Sequence, residues 1–433
     1  MAENAREIVL DTLLEVERNK VYSSQLLKAV LDKYDYLDGQ EKRFIKRLTE
    51  GCIERKIELD YYLNQYSTVP VNKMKPLIRC LMRMGVYQIL YMDSVPDSAA
   101  CNEAVKLAAK RRFINLKGFV NGVLRKLAAN KEGLPLPDAG KEPLQYLSVK
   151  YSMPEWIVSL WLEEYGKEDT LTILEALSAI HPVNIRFRTD LSETERRAFI
   201  QAWEKQGAVV KESGILPYVY TLEGIDGISS LTGFWEGAFT VQDVSSALSV
   251  EAAQLKATDI CMDICAAPGG KSLLAAEKAR EVLSRDVSEH KVELICENVE
   301  RMQLTDKVTT EVWDATIFDE GKVEFADVVL MDVPCSGLGV LGKKRDIKYH
   351  VTPESLESLT QLQKQIVESS WQYVKTGGTL LYSTCTINRA ENQDRVRWIC
   401  EKLPFTLEEE RQILPGFLAA DGFYYARLRR KAE

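Results

Sequence analysis

Two cysteines of the 433-residue chain stand where apolar runs give way to small and polar residues. Cys335 lies in "VVLMDVPCSGLGVL", three residues after Asp332, and Cys385 lies in "GTLLYSTCTI". An ionised thiol is a nucleophile that can bond transiently to a substrate, and its reactivity follows its pKa. A carboxylate nearby can hold or share a proton, but its charge also raises the pKa of a thiol beside it. Cys385 has no acidic neighbour before Glu391, so of the two it is the better nucleophile. A lone cysteine is more often a buried apolar filler. Two at strand ends, one beside a carboxylate, favour chemistry.

Other thiol chemistries fit less well. Nine cysteines at irregular spacing do not read as a disulfide framework, and His181, His290 and His350 are scattered, with no C-x-x-C to build a zinc site. No metal is expected. "CMDICAAP" has Pro268 where a radical iron–sulfur motif needs its third cysteine.

A second group of residues could hold a ligand. "DICAAPGGKS" (263–272) follows an apolar run and opens a helical pattern. Gly269 and Gly270 let the backbone approach a ligand, and a helix N-terminus offers N–H groups. The loop is neither G-x-G-x-x-G nor a Walker A sequence, which weakens nicotinamide and ATP readings. Asp286 ends the next apolar run, where an acid grips ribose hydroxyls in nucleotide-binding sheets, or it merely caps the helix of "SEHKVEL". Asp314 could approach an adenine ring or cap a turn. Together these residues describe an adenosine-containing cofactor laid across strand ends.

Such a site needs a parallel sheet beneath it. From 238 onward, apolar runs of strand length ("DICMDI", "REVLSRD", "TTEVWD", "ADVVLMD", "GGTLLYST") alternate with helical patterns such as "KSLLAAEKAR" and "SLTQLQKQIVESSWQYV". This rhythm predicts an α/β, doubly wound parallel sheet whose ligands sit beyond the carboxyl ends of its strands. Asp263, Asp286, Asp314 and Asp332 each close one of these runs, and the fifth leads into Cys385.

Upstream, residues 1–133 read as helix after helix, with "KPLIRCLMRMGVYQILYM" as the central one and "EKRFIKRLTEGCIERKIELDYYLNQY" as one long helix. "KEGLPLPDAGKEP" is a linker. Residues 144–237 mix helical and strand-like runs, as a small α+β module would. The expected organisation is therefore multidomain: an all-α bundle, a connecting module, and an α/β domain at 238–433.

Charge is unevenly divided. The chain carries a net charge of -8, yet residues 1–132 are net +6 and the remainder net -14. Lys110, Arg111, Arg112, Lys117, Arg125 and Lys126 form the densest basic stretch, suited to a polyanion or to a solvated helical face. No run reaches the length of a bilayer span, and the amphipathic, acidic N-terminus is unlike a secretory signal, so a cytoplasmic protein is expected.

"DICAAPGGKS", "LMDVPCSGLG" and "YSTCTINRAEN" closely resemble the motifs of S-adenosylmethionine-dependent RNA cytosine-5 methyltransferases. "MRMGVYQILYM" and "NLKGFVNGVLRKL" resemble the NusB-type RNA-binding bundle, "FWEGAFTVQDVSSAL" the approach to the catalytic domain, and "DGFYYARLRR" its closing strand. The whole resembles the bacterial 16S ribosomal RNA methyltransferase B family, with its Rossmann-like catalytic domain. Two stretches depart from the pattern: "KKRDIKYH" lacks a proline before its Asp, and "TCTI" replaces "TCSI".

The resemblance implies S-adenosylmethionine as cofactor, held by Cys265, Ala266, Ala267, Pro268, Gly269, Gly270 and Lys271 with Asp286, Asp314 and Asp332. It implies Cys385 as nucleophile, Cys335 as the residue that helps release product, Asp332 at ring nitrogen 3, and Lys271 lining the site. The implied partner is 16S ribosomal RNA, naked or in an early assembly intermediate, met by a monomer. A transfer RNA cytosine-5 methyltransferase would share the catalytic motifs but not the bundle. A non-catalytic RNA-binding or antitermination factor would have no use for Asp332, Cys335 and Cys385 together.

Overall fold

The computed structural model describes residues 4–432 apart from positions 20, 180 and 226. It divides into two compact units, one running to Ser178 and including Lys344–His350, the other made of Ala179–Lys343 and the chain from Val351.

The first unit is helical: α1 (Ala5–Asn19), α2 (Ser23–Lys33), α3 (Gly39–Glu54), α4 (Lys56–Tyr66), α5 (Pro76–Tyr91), α6 (Asp97–Lys110), α7 (Lys117–Ala128), α8 (Pro143–Lys150) and α9 (Glu155–Ser178). Helix α5 is central, buried at every position from Cys80 to Ile89. Its Arg83 is tolerated there because Asp60 takes it at 2.7 Å through two nitrogens and Glu17 at 3.2 Å. The long helix expected across 41–66 breaks at Arg55, where ψ is 14°. The Ile57 N–H, which a continuous helix would give to the Ile53 carbonyl, donates to Ser152 Oγ at 3.0 Å.

The second unit opens with β1 (Val183–Phe187), α10 (Glu193–Lys205), β2 (Val209–Glu212), β3 (Val219–Glu223) and β4 (Phe239–Val241). These strands form an antiparallel sheet in the order β2-β3-β1-β4, on which Trp203 and Phe187 stack fully buried. The stretch expected as one module at 144–237 thus spans both units. Its helices α8 and α9 lie in the first, its strands lie in the second, and β4 completes the sheet beyond 237.

After α11 (Val244–Ala252) come β5 (Ile260–Asp263), α12 (Gly270–Lys278), β6 (Glu281–Asp286), α13 (Glu289–Arg301), β7 (Val308–Val312) and β8 (Ala326–Asp332). The short α14 (Ile347–His350) packs with the helical unit: Asp346 accepts the Ser23 N–H, and fully buried Lys348, pushed down to about 7 by desolvation, donates to the Glu54 carbonyl at 2.9 Å. Then follow α15 (Pro353–Ser370), β9 (Val374–Thr384), α16 (Gln393–Lys402), β10 (Phe405–Ile413) and β11 (Phe423–Arg430).

The strand order is β10-β11-β9-β8-β5-β6-β7. The five strands β5 to β9 are parallel, and Val328 to Met331 of β8 are buried, as covering on both faces requires. The sheet is not wholly parallel, however, because β11 runs antiparallel to β9 and β10 antiparallel to β11. The link from β10 to β11 has no helix to make the crossover that a parallel neighbour needs. Outermost β10 is bulged between Leu407 and Glu409, and its Glu408 pairs with Arg427 and Arg429.

Successive strands leave β5 on one side through β6 and β7, and leave β8 on the other through β9. The order reverses between β5 and β8, so a cleft opens at their carboxyl ends. Three turns meet beside it: Gly339 N donates to the Cys385 carbonyl at 3.1 Å, and Gly422 N to the Gly339 carbonyl at 2.9 Å. A Cβ at Gly339 would lie 2.1 Å from the Gly422 oxygen and 2.9 Å from that of Cys385. Gly339→Ala should therefore cost about 1–3 kcal/mol through forced backbone shifts. The melting temperature of the purified protein, read by calorimetry, should fall by several degrees.

Candidate active site

The chain leaves β5 at Asp263 and turns through Ile264–Gly269 into α12. Gly269 has φ +101°, a left-handed conformation that a side chain would strain, and caps the helix. Ala266 N donates to the Arg285 carbonyl and Ala267 N to Asp286 Oδ2, both at 2.9 Å, which ties the loop to the end of β6. Asp263 is fully buried. Desolvation pushes its carboxyl up to about 7 against the opposing hydrogen bond from Ser272, 2.7 Å away, and the charge of Lys271.

Asp286 also accepts from Val287 N at 2.8 Å and from Lys291 at 3.0 Å. Asp314 accepts the amide and hydroxyl of Thr316 through Oδ1, at 2.9 and 2.8 Å, so it does cap a turn. The same residue faces a cavity of about 510 Å³, whose wall includes Cys265, Ala267, Asp286, Trp313, Asp332 and Pro334. Trp313 rests on Arg285, itself fixed by Glu311 and Asp319. A space of this size suits a small-molecule cofactor. The donor set fits S-adenosylmethionine: a carboxylate at a strand end for ribose hydroxyls, an aromatic and a proline for a flat base, acids for the ammonium group. Ala266, Pro268, Gly269, Gly270 and Lys271 shape the loop without lining this cavity. Burial, with Asp263, Asp286 and Asp332 adding to it, raises the Cys265 thiol well above its usual range, which leaves it a wall rather than a nucleophile.

Across the reversal, Lys271 Nζ meets Asp332 Oδ2 at 2.6 Å. Burial, the largest single influence, lowers this ammonium, but the charge and hydrogen bond of Asp332 with the charges of Asp263 and Cys385 together turn the net direction upward. Asp332 Oδ1 accepts from Ser383 Oγ at 2.9 Å, its register partner on β9. Beyond these strand ends the two thiols come together, with Cys335 Sγ 3.3 Å from Cys385 Sγ.

Cys335 is pushed well above the usual thiol range, first by its hydrogen bond with Cys385, then by burial, the Cys385 charge, Glu391 and lastly Asp332. Asp332 is thus the weakest of the influences on Cys335, and its main partner is Lys271. Two residues that sequence reasoning passed over organise the thiols. Glu391, wholly buried, accepts from Ser336, Gln363 and Asn388. Asn392 accepts from Thr384 at 2.6 Å and donates to the Thr386 carbonyl at 3.0 Å. Their only sequence signal was their place in "NRAEN", just past the second thiol.

Of the six basic candidates in the helical unit, Lys110 pairs with Glu7, Arg111 with Glu7 and Asp11, and Lys126 lies over the Tyr66 ring. Arg112, Lys117 and Arg125 are exposed and form no ion pair among the described residues.

A sheet wound in this order, with a glycine loop after β5 and an acid closing the neighbouring β6, has the architecture of the S-adenosylmethionine-dependent methyltransferases. The family described as 16S rRNA methyltransferase RsmB/F matches residues 250–429, and the NusB family matches residues 3–129. A probable ribosomal RNA small subunit methyltransferase B of Bacillus subtilis is 34% identical over 99% of both chains. Ribosomal RNA small subunit methyltransferase B of Cronobacter sakazakii is 28% identical over 99% of both. Among solved structures, PH0851 is similar with TM-score 0.81 at 24% identity over 99% of both chains. NSun6 from Pyrococcus horikoshii, solved with SFG, is similar with TM-score 0.56 at 21% identity, covering 65% of this chain and 99% of that one. The chain belongs to the ribosomal RNA small subunit methyltransferase B family.

For a ribose-binding carboxylate at 286, Asp286→Ala should weaken S-adenosylmethionine binding at least tenfold, about 1.4 kcal/mol. Titration calorimetry on the folded variant reads this directly, and an unchanged affinity would remove Asp286 from the cofactor site.

Proposed function

We propose that the protein methylates carbon 5 of a cytidine in 16S ribosomal RNA through a transient bond between Cys385 and carbon 6 of the base. The observation that carries this reading is the pair of sulfurs 3.3 Å apart beside the Lys271–Asp332 ion pair. Two thiols and a shared proton at the mouth of a cofactor cavity suit an addition–elimination on a ring.

Carbon 5 of cytosine is a poor nucleophile. When the Cys385 thiolate adds at carbon 6, an electron pair becomes available at carbon 5. Lys271, held in its charged form, favours the anionic sulfur it faces. Asp332 contacts ring nitrogen 3 and passes it a proton drawn from Lys271 as charge builds there. The cofactor, when bound, would offer carbon 5 the methyl group of its sulfonium, whose sulfur would keep the electron pair of the broken bond as a neutral thioether. Carbon 5 then loses its proton to a base, the pair re-forms the 5,6 double bond, the bond to the Cys385 sulfur breaks, and nitrogen 3 returns its proton through Asp332 to Lys271. Cys335, kept protonated by its neighbours, gives its proton to the departing sulfur and regains one from that released at carbon 5.

A stacked base cannot present carbon 6 to a side chain, so the target is unpaired or turned outward. The NusB-type unit supplies sequence-independent phosphate contacts, for which Arg112, Lys117 and Arg125, without an ion pair among the described residues, are the candidates. Naked RNA or an early assembly intermediate in the cytoplasm fits this need for an accessible base. Among the described residues, no helix is long and apolar enough to cross a membrane.

Cys385→Ala should abolish methyl transfer and form no adduct with RNA. Cys335→Ala should instead accumulate a protein–RNA adduct that survives a denaturing gel; the reverse pattern would exchange the two roles. Bisulfite sequencing of ribosomal and transfer RNA from a deletion strain should show one cytidine of 16S RNA losing its mark, and an unchanged ribosomal pattern would refute the substrate.

A further inference from the structure

The side chain of Glu391 lies wholly inside the protein, yet its bonds converge on the two turns that carry the thiols. Oε2 accepts from Ser336 N at 2.9 Å and from Gln363 Nε2 at 3.0 Å; Oε1 accepts from Ser336 Oγ and from Asn388 Nδ2 at 3.1 Å. The same Gln363 nitrogen donates to the Pro334 carbonyl at 3.0 Å, and Ser336 Oγ also meets Thr386 Oγ1 at 2.8 Å. Tyr382 donates to the Glu391 carbonyl at 2.7 Å. The turn before Cys335 and the turn after Cys385 are therefore pinned to one carboxylate.

Burial pushes the Glu391 carboxyl up, but the hydrogen bonds it accepts oppose this and favour its ionised form. An amide N–H and two side-chain amides can only donate, and an ionised carboxylate offers about four lone-pair sites to receive them. A neutral carboxyl would need an acceptor for its proton, and only the Ser336 hydroxyl could serve. A glutamine here would turn an –NH2 toward donors. The site is built for a negative charge, which is costly to bury unless it is satisfied in this way.

We propose that Glu391 is the positioning residue of Cys335: it locks the turn at Pro334–Ser336 so that the two sulfurs touch, and it adds its negative charge to the surroundings that favour a protonated thiol there. The inference rests on the covalent mechanism above, in which Cys335 returns a proton to the departing Cys385 sulfur. The titratable groups facing Cys335 are Cys385, Glu391, Asp332 and Tyr382. Among them Glu391 contributes more than Asp332 to holding the thiol above its usual range. It is wholly buried and does not line the cofactor cavity, so its effect on the reaction passes through the thiol.

The test reads each thiol separately. Full-length protein is treated with iodoacetamide between pH 6 and pH 10, as ordinary assay bounds around the thiol range, and initial alkylation rates of Cys335 and Cys385 are followed by peptide mass spectrometry. In the wild type, Cys385 should react first and Cys335 only at the alkaline end. In Glu391→Gln, the Cys335 profile should move to lower pH, and its rate near neutrality should rise about tenfold, as a thiol that ionises about one pH value earlier would give. Ser336→Ala, which removes a donor and keeps the charge, should leave that profile in place. On RNA, Glu391→Gln should lower kcat with KM little changed and should accumulate the covalent adduct. An unmoved Cys335 profile in folded Glu391→Gln overturns the inference. So does a wild-type Cys335 that reacts as fast as Cys385 at neutral pH, a result readable even if the variant fails to fold. Full activity in Cys385→Ala would instead defeat the covalent mechanism itself, whatever the alkylation profiles show.

Discussion

The ion pair between Lys271 and Asp332 bridges the point at which the strand order of the large sheet reverses, and the site is arranged around it. A doubly wound sheet must part there, since helices leave β5 and β8 toward opposite faces. Lys271 comes from the first turn after β5 and Asp332 from the last residue of β8, so one bond of 2.6 Å spans the gap. Asp332 lines the cavity that suits a cofactor, and its charge also reaches Cys335. Replacing one partner alone would leave a buried charge uncompensated, a change that typically costs about 3–5 kcal/mol.

Around this bridge the protein spends carboxylates freely, each with a different form of satisfaction. Asp263 is answered by Ser272, Asp286 by two backbone amides and Lys291, Asp332 by Lys271 and Ser383, and Glu391 by amides and a hydroxyl. These differences divide the labour among chemically identical groups. A carboxylate bound only by donors serves as scaffold, whereas one that shares a proton with an ammonium can exchange it with a substrate. The two thiols are differentiated in the same way, since Cys385 acts on the lysine and the buried glutamate acts on Cys335.

Much of this could be read from the chain because parallel strands buried on both faces are short apolar runs, and β5, β6 and β8 stop at an acid while β9 leads to a thiol. The more exposed edge strand β7 stops at Val312, two residues short of Asp314. The central helix α5 was equally plain, since an apolar surface on most sides has no other home. What escaped reading depended on partners far away in sequence. The break at Arg55 is fixed by Ser152, and the neutralisation of Lys110 and Arg111 by Glu7 and Asp11. Strand β10 was hidden because Glu408, Glu409 and Glu410 erase the alternation that marks a strand. That the two cysteines follow neighbouring strands was evident from their runs. That their sulfurs touch was not, because contact is set by Glu391 and Asn392 holding the turns.

Those three consecutive glutamates have a meaning of their own. The last strand of a sheet exposes unpaired amides and carbonyls that invite a strand from another molecule, the first step toward aggregation. Here the bulge at Leu407/Glu409 spoils the regular spacing of those groups, and the charged Glu408 and Glu409, tied inward to Arg427 and Arg429, give an approaching strand no apolar edge to join. The flank of the sheet farthest from the cleft is thereby kept from zippering, and the protein can accumulate in a crowded cell without templating fibres of itself.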